Sequence, residues 1–260
     1  ASRRVTLSPP GGRAWLPWPS LRGGGRKACR GGGSSAAQAS IPTGPLCGGV
    51  PSTLVHLAVA ALVGTALLAR AFDRRSLGVV LAAAAVPDLD TFVGLAVAGA
   101  HRAALHTLLL PAGLAALWYY DTRHRERSAL RARYGDRGVR VAWVAVVAML
   151  VGGIAPDLFT NGVNALYPVY DRFVSVNGEL LLSNQRGVVQ TFVELAPPDA
   201  GSVSTTQNTH YWTGVDPTPG ADPANVERVF PVVRSGTQLL LVLVGFGTAA
   251  ARLWEQGRRD

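Results

Sequence analysis

Two carboxylates, Asp88 and Asp90, interrupt an apolar run over residues 77–98, in the stretch Val86-Pro87-Asp88-Leu89-Asp90. On membrane-insertion scales one Asp at the centre of a spanning helix costs about 2.5–3.5 kcal/mol. Pro87 removes a backbone donor and usually kinks or ends a helix. Carboxylates at such a break need compensation from protein partners or a water-filled cavity. This stretch is therefore a candidate functional site.

Other ionisable side chains are expected at the same membrane face as these carboxylates. The chain contains five His. Three of them and one more Asp fall near the corresponding ends of the apolar segments, namely His56, His101, His106 and Asp157. Five residues turn a helix through about 500°, so His101 and His106 cannot share one helix face. We therefore expect His101 in a loop and His106 in the helix that follows.

A group of His and Asp residues predicts a metal site. Imidazole and carboxylate suit Zn²⁺, Mn²⁺ or Fe²⁺, and a divalent cation would offset the Asp charges. Such a cation also lowers the pKa of water toward neutrality. The expected cofactor is a divalent metal ion, with zinc first and manganese or iron as alternatives.

The apolar segments predict an all-α polytopic membrane protein with about five transmembrane helices, because about 20 apolar residues cross a bilayer core. The candidate segments are residues 53–72, 77–98, 103–120, 141–159 and 239–253. Between the fourth and fifth lies an extracytoplasmic segment, residues 160–238. Its β-prone runs, separated by Asn177-Gly178 and residues 184–187, predict a hairpin or small sheet. Residues 197–223, rich in Pro, Gly, Thr and Asp, predict a loop.

Composition divides the chain further. Residues 1–49 contain six Arg and Lys27 but no Asp or Glu, so they carry +7 of the net charge of +9. The rest of the chain is nearly neutral, which excludes a nucleic-acid-binding surface and leaves the lipid bilayer as the expected partner. Both cysteines, Cys29 and Cys47, also lie in this leader, so the remainder offers neither a disulfide framework nor a Cys-based zinc site.

The domain prediction follows from these divisions. Residues 1–49 are predicted to be a disordered leader, and we expect translation to start near Val50; a genuine leader is the alternative. Residues 50–159 form a four-helix membrane core with the metal site. Residues 160–238 form the extracytoplasmic segment, and residues 239–260 form the last transmembrane helix with a cytoplasmic tail. No feature of the sequence predicts the oligomeric state.

Arginine counts predict the orientation in a multi-pass cytoplasmic membrane. With five helices, thirteen Arg share one side, and that side is expected to be cytoplasmic. The start near Val50 and residues 160–238 are then outside, and the C-terminus is cytoplasmic. This topology places the three His and three Asp in the outer half of the membrane. The thirteen residues are Arg70, Arg74, Arg75, Arg123, Arg125, Arg127, Arg131, Arg133, Arg137, Arg140, Arg252, Arg258 and Arg259.

The order of these motifs resembles one known family, the membrane-bound metal-dependent hydrolases, also called the LexA-binding, inner-membrane-associated hydrolases. That family has an early His, a PDxD motif, an HRGxTHS-type stretch and a later HxxxD-[LS]-x-T region. The corresponding residues here are His56, Pro87-Asp88-Leu89-Asp90, His101-Arg102 with His106-Thr107, and Asp157-Leu158-Phe159-Thr160. Residues 159–168 are also similar to archaeal members. The resemblance covers roughly residues 51–170.

The resemblance implies roles for the six residues and also has three departures. It implies that Asp88, Asp90, His101 and His106 hold the metal, and that His56 and Asp157 complete the shell or act as general base. Ala103 stands where the family prefers Gly, Leu105 where it prefers Thr, and Gly153 where many members have His. His210, in the run 208–212, is one group that could replace a lost ligand; a packed loop with an exposed His is the alternative.

Three functions compete at this point. The first is a metal-dependent hydrolase at the outer membrane surface, acting on a lipid or a phosphoester. The second is an ion-coupled transporter in which the same groups relay protons. It predicts polar residues that continue to the inner side, where the helices are nearly all apolar. The third is a non-catalytic membrane scaffold that binds partners through residues 160–238 and would tolerate Asp88→Ala.

Overall fold

The computed structural model describes residues 51–176, 178, 180–185, 187–190, 203–218 and 220–258. The leader prediction for residues 1–49 lies outside this part of the chain, and the domain division stays a prediction. The helices are α1 (Thr53–Leu67), α2 (Arg74–Ala85), α3 (Asp90–Gly94), α4 (Leu109–Arg123), α5 (Ala129–Ala148), α6 (Ala155–Leu158) and α7 (Gly236–Gly257). Strands β1 (Leu180–Ser183) and β2 (Gly187–Gln190) lie between α6 and α7.

The first two long helices run between two ends of the bundle. At the start of α1, the Thr53 hydroxyl donates a hydrogen bond to Asp88. At its other end, Arg140 donates to the Leu67 carbonyl at 3.2 Å. Helix α2 begins there with Asp73, whose carboxylate pairs with Arg137 of α5, and returns toward Pro87. We call the first end the carboxylate end (Asp88, Asp90, Asp157) and the second the arginine end (Asp73, Arg137, Arg140, Arg252).

The remaining long helices continue this alternation. Helix α4 begins just after Thr107 and ends near Asp121, which accepts hydrogen bonds from the first amides of α5. Helix α5 passes Arg137 at the arginine end and leads through α6 to Asp157. Helix α7 starts a few residues after Val232, whose carbonyl accepts from Ser52, and Arg252 near its end donates to backbone carbonyls of residues 65 and 69.

Small residues let α1 pack closely against its neighbours. A Cβ built on Gly245 of α7 would lie 2.3 Å from the Ala58 carbonyl oxygen, and one on Gly152 would lie 3.0 Å from the Ala60 Cβ. Close backbone approach through small residues is the usual way for helices to pack where lipid removes the hydrophobic drive between them. The buried core shared by α1, α2, α5 and α7 includes Ala60, Ala61, Leu68, Phe72, Leu77, Val80, Ala84, Val144, Ala148 and Ala249.

The count of spanning helices differs from the prediction of about five. Among the described residues, 129–158 and Gly236–Gly257 are long and apolar enough to cross a membrane, and a third crossing results if α2 and the bent segment Pro87–Gly94 count as one. Helix α1 has 15 residues, about 22 Å, against a hydrocarbon core of about 30 Å. The structure therefore establishes a mostly helical, membrane-like protein with two or three such spans.

The third predicted helix begins later than expected. Residues 103–108 form turns, and α4 starts at Leu109. Arg102 has φ +64°, outside the helical region, and the Leu108 amide donates to the Ala165 carbonyl at 2.8 Å instead of to a preceding turn. The expectation that His106 lies in the helix was therefore wrong, because this segment bonds to residues 164–165.

The fourth predicted helix begins earlier than expected. Helix α5 starts at Ala129, inside the stretch predicted to be a polar loop, and Ser128 caps it by accepting from the Arg131 amide. Gly135 breaks the helix with φ +65°. Beyond Ala148 the chain continues as a π-helical turn, Met149–Ile154, before α6. The break at Pro87 was predicted correctly, since α2 ends before it and the next helical segment turns away by 45°.

The predicted hairpin is confirmed. Strands β1 and β2 pair antiparallel, with Leu182 opposite Val188, and residues 184 and 185 form a turn as expected. Val174 forms a separate antiparallel bridge with Val163, so the chain folds back on itself soon after α6. The last part of the third β-prone run, residues 191–194, lies outside the described residues.

Asp121 joins α4 to α5 and gives a testable pH dependence. Hydrogen bonds from the Ser128 hydroxyl and then from the Ala129 and Leu130 amides lower the pKa of Asp121 to about 2. Because this pKa is below its unfolded value of 3.8, the stabilisation is full above about pH 4 and is lost as the pH falls toward 2.

We expect Asp121→Asn to lower the melting temperature in detergent by roughly 2–4 °C at pH 7, and by less below pH 4. Asp136→Asn is the control, since that side chain is 85% exposed; equal effects of the two substitutions at pH 7 would contradict the prediction.

Candidate metal centre

Four breaks in helical structure converge at the carboxylate end. They are the start of α1, the proline break after α2, the turns between α3 and α4, and the π-helical turn with α6. Breaks release the backbone from regular hydrogen bonding, so side chains from separate helices can point at one place. They bring together all six residues singled out in the sequence, which are His56, Asp88, Asp90, His101, His106 and Asp157.

The ligand atoms of three of these residues form the tightest group. His56, Asp88 and Asp157 each offer one nitrogen or oxygen atom, and these atoms all lie within 4.8 Å of one another. The His56 Nε2 atom is 3.4 Å from Asp157 Oδ2 and 3.8 Å from Asp88 Oδ1. A divalent metal ion held at ordinary bond lengths of about 2.0–2.2 Å requires ligand atoms at such separations.

The fourth side chain aimed at this group is His106. Its Nε2 atom lies 3.0 Å from Asp157 Oδ2 and 3.5 Å from Asp88 Oδ1. Neither approach has hydrogen-bond geometry, so this fully buried nitrogen has no hydrogen-bond partner among the described residues. A buried nitrogen without a partner, facing two carboxylates, fits a metal ligand.

Hydrogen bonds at the far side of each ring are those expected of metal-binding histidines. His106 Nδ1 lies 2.8 Å from Asp90 Oδ2, and His56 Nδ1 lies 2.7 Å from the Gly152 carbonyl. Because both partners only accept hydrogen bonds, Nδ1 of each ring must carry the proton. In the neutral ring Nε2 then has a lone pair, which points at the group formed by Asp88 and Asp157. Carboxylates and carbonyls orient metal-ligating imidazoles in this way.

Asp90 lies behind the group and connects two histidines. It is completely buried, and its second oxygen, Oδ1, accepts from His101 Nδ1 at 2.8 Å. His101 is partly exposed, and its Nδ1 is also 3.3 Å from the Thr91 hydroxyl. The structure therefore places Asp90 and His101 beside His106, whereas Asp88, His56 and Asp157 face one another. In this geometry Asp90 orients His106 rather than facing the group.

The π-helical turn explains why no side chain stands at position 153. A Cβ there would lie 2.6 Å from the Ala84 carbonyl oxygen and 3.0 Å from Pro87 Cγ. The family pattern that has a His at this position therefore cannot apply here without moving α2 away from α5. The close approach lets the neighbouring Gly152 carbonyl reach His56.

Sequence reasoning missed the role of Arg102. Sequence analysis gave it no role beyond its place in the His101-Arg102 motif, but its side chain is buried, and its Nη2 atom lies 2.6 Å from Asp157 Oδ1. Tyr211, in the run 208–212, lies with its ring centre 4.7 Å from the Arg102 guanidinium carbon. The signal was the position of Arg102 directly after His101. No hydrogen bond or ion pair within the described residues links His210 to the centre.

The charges of the centre fit a divalent cation. Three carboxylates and one guanidinium give a formal charge of −2 when the three histidines are neutral. All but Asp88 among these charged groups are almost fully buried. An uncompensated buried charge is strongly unfavourable. Two imidazoles and two carboxylates also form the donor set that Zn²⁺, Mn²⁺ and Fe²⁺ accept. The described residues can therefore hold a metal ion, although they do not determine which one.

The fold and this centre together define a helical membrane protein with a buried His/Asp group at one end of its bundle. Comparison with known families agrees. A family model described as YdjM inner membrane protein matches residues 52–214, more than half of the chain, and includes all six site residues. The chain belongs to this family. Its description gives a membrane location but names neither a reaction nor an archaeal source. The hydrolase activity and the archaeal likeness therefore stay predictions. No curated protein and no solved structure matches the chain.

The close approach at Gly153 gives a test of the packing around the centre. Gly153→Ala should destabilise the protein by about 1–3 kcal/mol, because the added methyl meets the Ala84 carbonyl and Pro87. Gly78→Ala is the matched control: a Cβ at Gly78 has nothing within 4 Å, and Ala favours a helix by up to about 1 kcal/mol. Thermal unfolding in detergent measures both. Equal melting temperatures for the two variants would refute the close contact.

Proposed function

We propose that the protein is a membrane-bound, metal-dependent hydrolase with its centre on the extracytoplasmic side, acting on a lipid or a phosphoester. The observation that carries this proposal is the His106 ring, fixed at Nδ1 by Asp90. Its buried Nε2 faces Asp88 and Asp157 and has no hydrogen-bond partner in the part of the chain that the structure describes. A purely structural histidine buried at this depth would use both ring nitrogens in hydrogen bonds. The family match supports the membrane location.

The geometry favours a division of roles that differs from the one implied by the sequence resemblance. His56, Asp88, His106 and Asp157 hold the metal, and Asp90 keeps His106 in the required tautomer. A metal in such a site supplies Lewis-acid polarisation and lowers the pKa of water. His101 is partly exposed and held at Nδ1 by Asp90, so it is placed to carry a proton between the centre and the surrounding water.

The proposed topology has five crossings, with the carboxylate end outside and the arginine end in the cytoplasm. It is supported by the directions of α1, α2, α5 and α7, which each have contacts at both ends of the bundle. Arginine-rich loops are retained on the cytoplasmic side. Arg137, Arg140 and Arg252 lie together at one end, where they bond to residues 67–73. The shorter α1 and α4 cross with the help of their flanking turns.

An ion-coupled transporter is less well supported. A proton or ion path requires polar groups that continue from the centre to the arginine end. The described residues between the two ends form an apolar core, for example Ala60, Leu77, Val80 and Val144. A non-catalytic scaffold remains the alternative that the experiment must separate from a hydrolase.

Metal content tests the proposal directly. The full chain purified in mild detergent should contain about one equivalent of a divalent metal by elemental mass spectrometry. His106→Ala and Asp157→Asn should lose most of it, because each removes a ligand. His124→Ala and Asp136→Asn are matched controls far from the centre, since His124 contacts only Tyr119 and Tyr120 among the described rings and Asp136 pairs with Arg131. A parent protein without bound metal would eliminate the proposal.

Turnover separates a hydrolase from a scaffold. The metal-loaded parent should hydrolyse at least one member of a panel of chromogenic phosphomonoesters, phosphodiesters and carboxyl esters presented in mixed micelles. The rate should fall with the metal content of the His106→Ala and Asp157→Asn proteins, while His124→Ala keeps the parent rate. Stoichiometric metal without turnover on any member would favour the scaffold.

Asp90 provides a second, independent test of the division of roles. As an orienting group it should be less critical than a ligand: Asp90→Asn is expected to weaken metal affinity about 10–100-fold without abolishing binding. Competition with a chelator of known affinity measures the change, with Asp157→Asn as the ligand control. If Asp90→Asn lost metal as completely as Asp157→Asn, Asp90 would be a ligand, as the sequence resemblance implied.

A further inference from the structure

Arg102 holds a buried positive charge beside the centre. Only 1% of the residue is exposed, and one nitrogen of its guanidinium, Nη2, donates to Asp157 Oδ1 at 2.6 Å. The other oxygen of Asp157, Oδ2, faces His56 and His106. A group bound to Arg102 would therefore lie beside Asp157, a proposed metal ligand whose other oxygen faces the proposed ligands His56 and His106.

Two donors of this guanidinium are not used. The Nε and Nη1 atoms are buried and have no hydrogen-bond partner among the described residues. Buried donors in native proteins are nearly always satisfied by protein, water or a ligand. Arginine stays protonated and has no acceptor atom, so whatever satisfies these donors must present an acceptor.

The surroundings of Arg102 favour an anion over a neutral acceptor. Only one nitrogen of Arg102 pairs with Asp157, and the ammonium group of a Lys could make the same single contact. The planar fork of several donors is the feature that suits phosphate and carboxylate groups. The ring of Tyr211 covers the guanidinium at 4.7 Å from its carbon, and the Tyr211 hydroxyl is anchored to the Asn161 carbonyl at 2.9 Å. This ring covers one face of the cation and shields it from water.

The backbone also holds Arg102 in a demanding conformation. Its φ of +64° is rarely adopted by residues other than glycine. The surrounding structure maintains it through a hydrogen bond from the Asn164 amide to the Arg102 carbonyl, 2.8 Å long. Strained positions of this kind concentrate at ligand-binding sites.

We propose that Arg102 binds an anionic oxygen of a phosphoryl group, so that the substrate is a phosphoester and not a neutral ester. This inference rests on the proposed metal-dependent hydrolase, whose substrate it narrows. Arg102 is a substrate-binding residue in this scheme, Tyr211 positions it, and Asp157 couples it to the metal ligands. The phosphoryl group comes either from a lipid headgroup or from a soluble phosphoester, because both present the same oxygens.

Binding of inorganic phosphate to the full chain in detergent tests the inference without relying on turnover. Isothermal calorimetry on the metal-loaded parent should detect binding that Arg102→Gln and Arg102→Lys each weaken at least about tenfold, since both lose hydrogen bonds to a charged group. Arg234→Gln is the matched control: Arg234 also stacks on an aromatic ring, that of Trp212, at 5.0 Å, but it is exposed. This variant should bind phosphate as the parent does.

If the Arg102 substitutions prevent folding because Asp157 loses its partner, a second variant, Tyr211→Ala, still tests the inference. Tyr211→Ala leaves the Arg102–Asp157 pair in place but opens the guanidinium to water, and it should weaken phosphate binding severalfold. A parent that binds no phosphate at millimolar concentration overturns the inference. So does an affinity that is equal in the parent, Arg102→Lys and Tyr211→Ala, because phosphate would then be held by the metal alone.

Metal content and competition complete the design. Metal is measured in every sample. If the parent holds metal but binds phosphate independently of Arg102, this inference is refuted and the proposed hydrolase is not. If phosphate binding depends on Arg102 but the protein never holds metal, only the proposed hydrolase is refuted. Phosphatidic acid in micelles and glycerol 3-phosphate in solution then compete with phosphate. The stronger competitor identifies the source, and competition by neither overturns the inference.

Discussion

Compensation of buried negative charge is the constraint on which this structure depends. Asp90 and Asp157 are almost fully buried among apolar helices, and Asp88 is only slightly exposed. Each has a specific partner: Arg102 for Asp157, His101 and His106 for Asp90, and Thr53 for Asp88. With neutral histidines, three carboxylates and one guanidinium leave a formal charge of −2, which a divalent cation would neutralise.

The irregular backbone of the bundle serves the same constraint. Regular helices bond all their own carbonyls and amides, so they have none to offer a histidine ring. The π-helical turn Met149–Ile154 releases the Gly152 carbonyl for His56, and the proline break after α2 lets Asp88 and Asp90 point in different directions. Both devices lie at the carboxylate end of the bundle, and the core nearer the arginine end is apolar. π-Helical turns are frequent at functional sites for this reason.

The sequence was sufficient to find the residues of the centre but not their arrangement. The cost of Asp88 and Asp90 in an apolar run, and the scarcity of His, pointed to all six side chains. Their directions were not predictable, because Asp90 and Asp88 are separated by one residue and only the 45° turn after Pro87 determines which of them faces His56. The role of Arg102 was missed because a positive φ and a buried guanidinium leave no periodic signal in the sequence.

Apolar periodicity predicted the fold in part. It located α1, the interrupted run from α2 to α3, and α7 within a few residues, because continuous apolar runs are reliable indicators of buried or lipid-facing helices. It failed at residues 103–108, where tertiary hydrogen bonds to residues 164–165 replace a helical turn. It also failed at the start of α5, where a Ser128 cap and the Asp121 carboxylate begin a helix in an Arg-rich stretch.

The order of the partners along the chain has a consequence for how the protein is made. Asp88 and Asp90 leave the ribosome before His101 and His106, well before Asp157, and long before Tyr211 and the α7 residue Gly245 that packs on α1. During synthesis the two carboxylates must therefore remain near the membrane surface, in contact with water, until later segments arrive to receive them. Insertion of this chain is thus a cooperative event, completed from the C-terminal side, rather than a sequence of independent helix transfers.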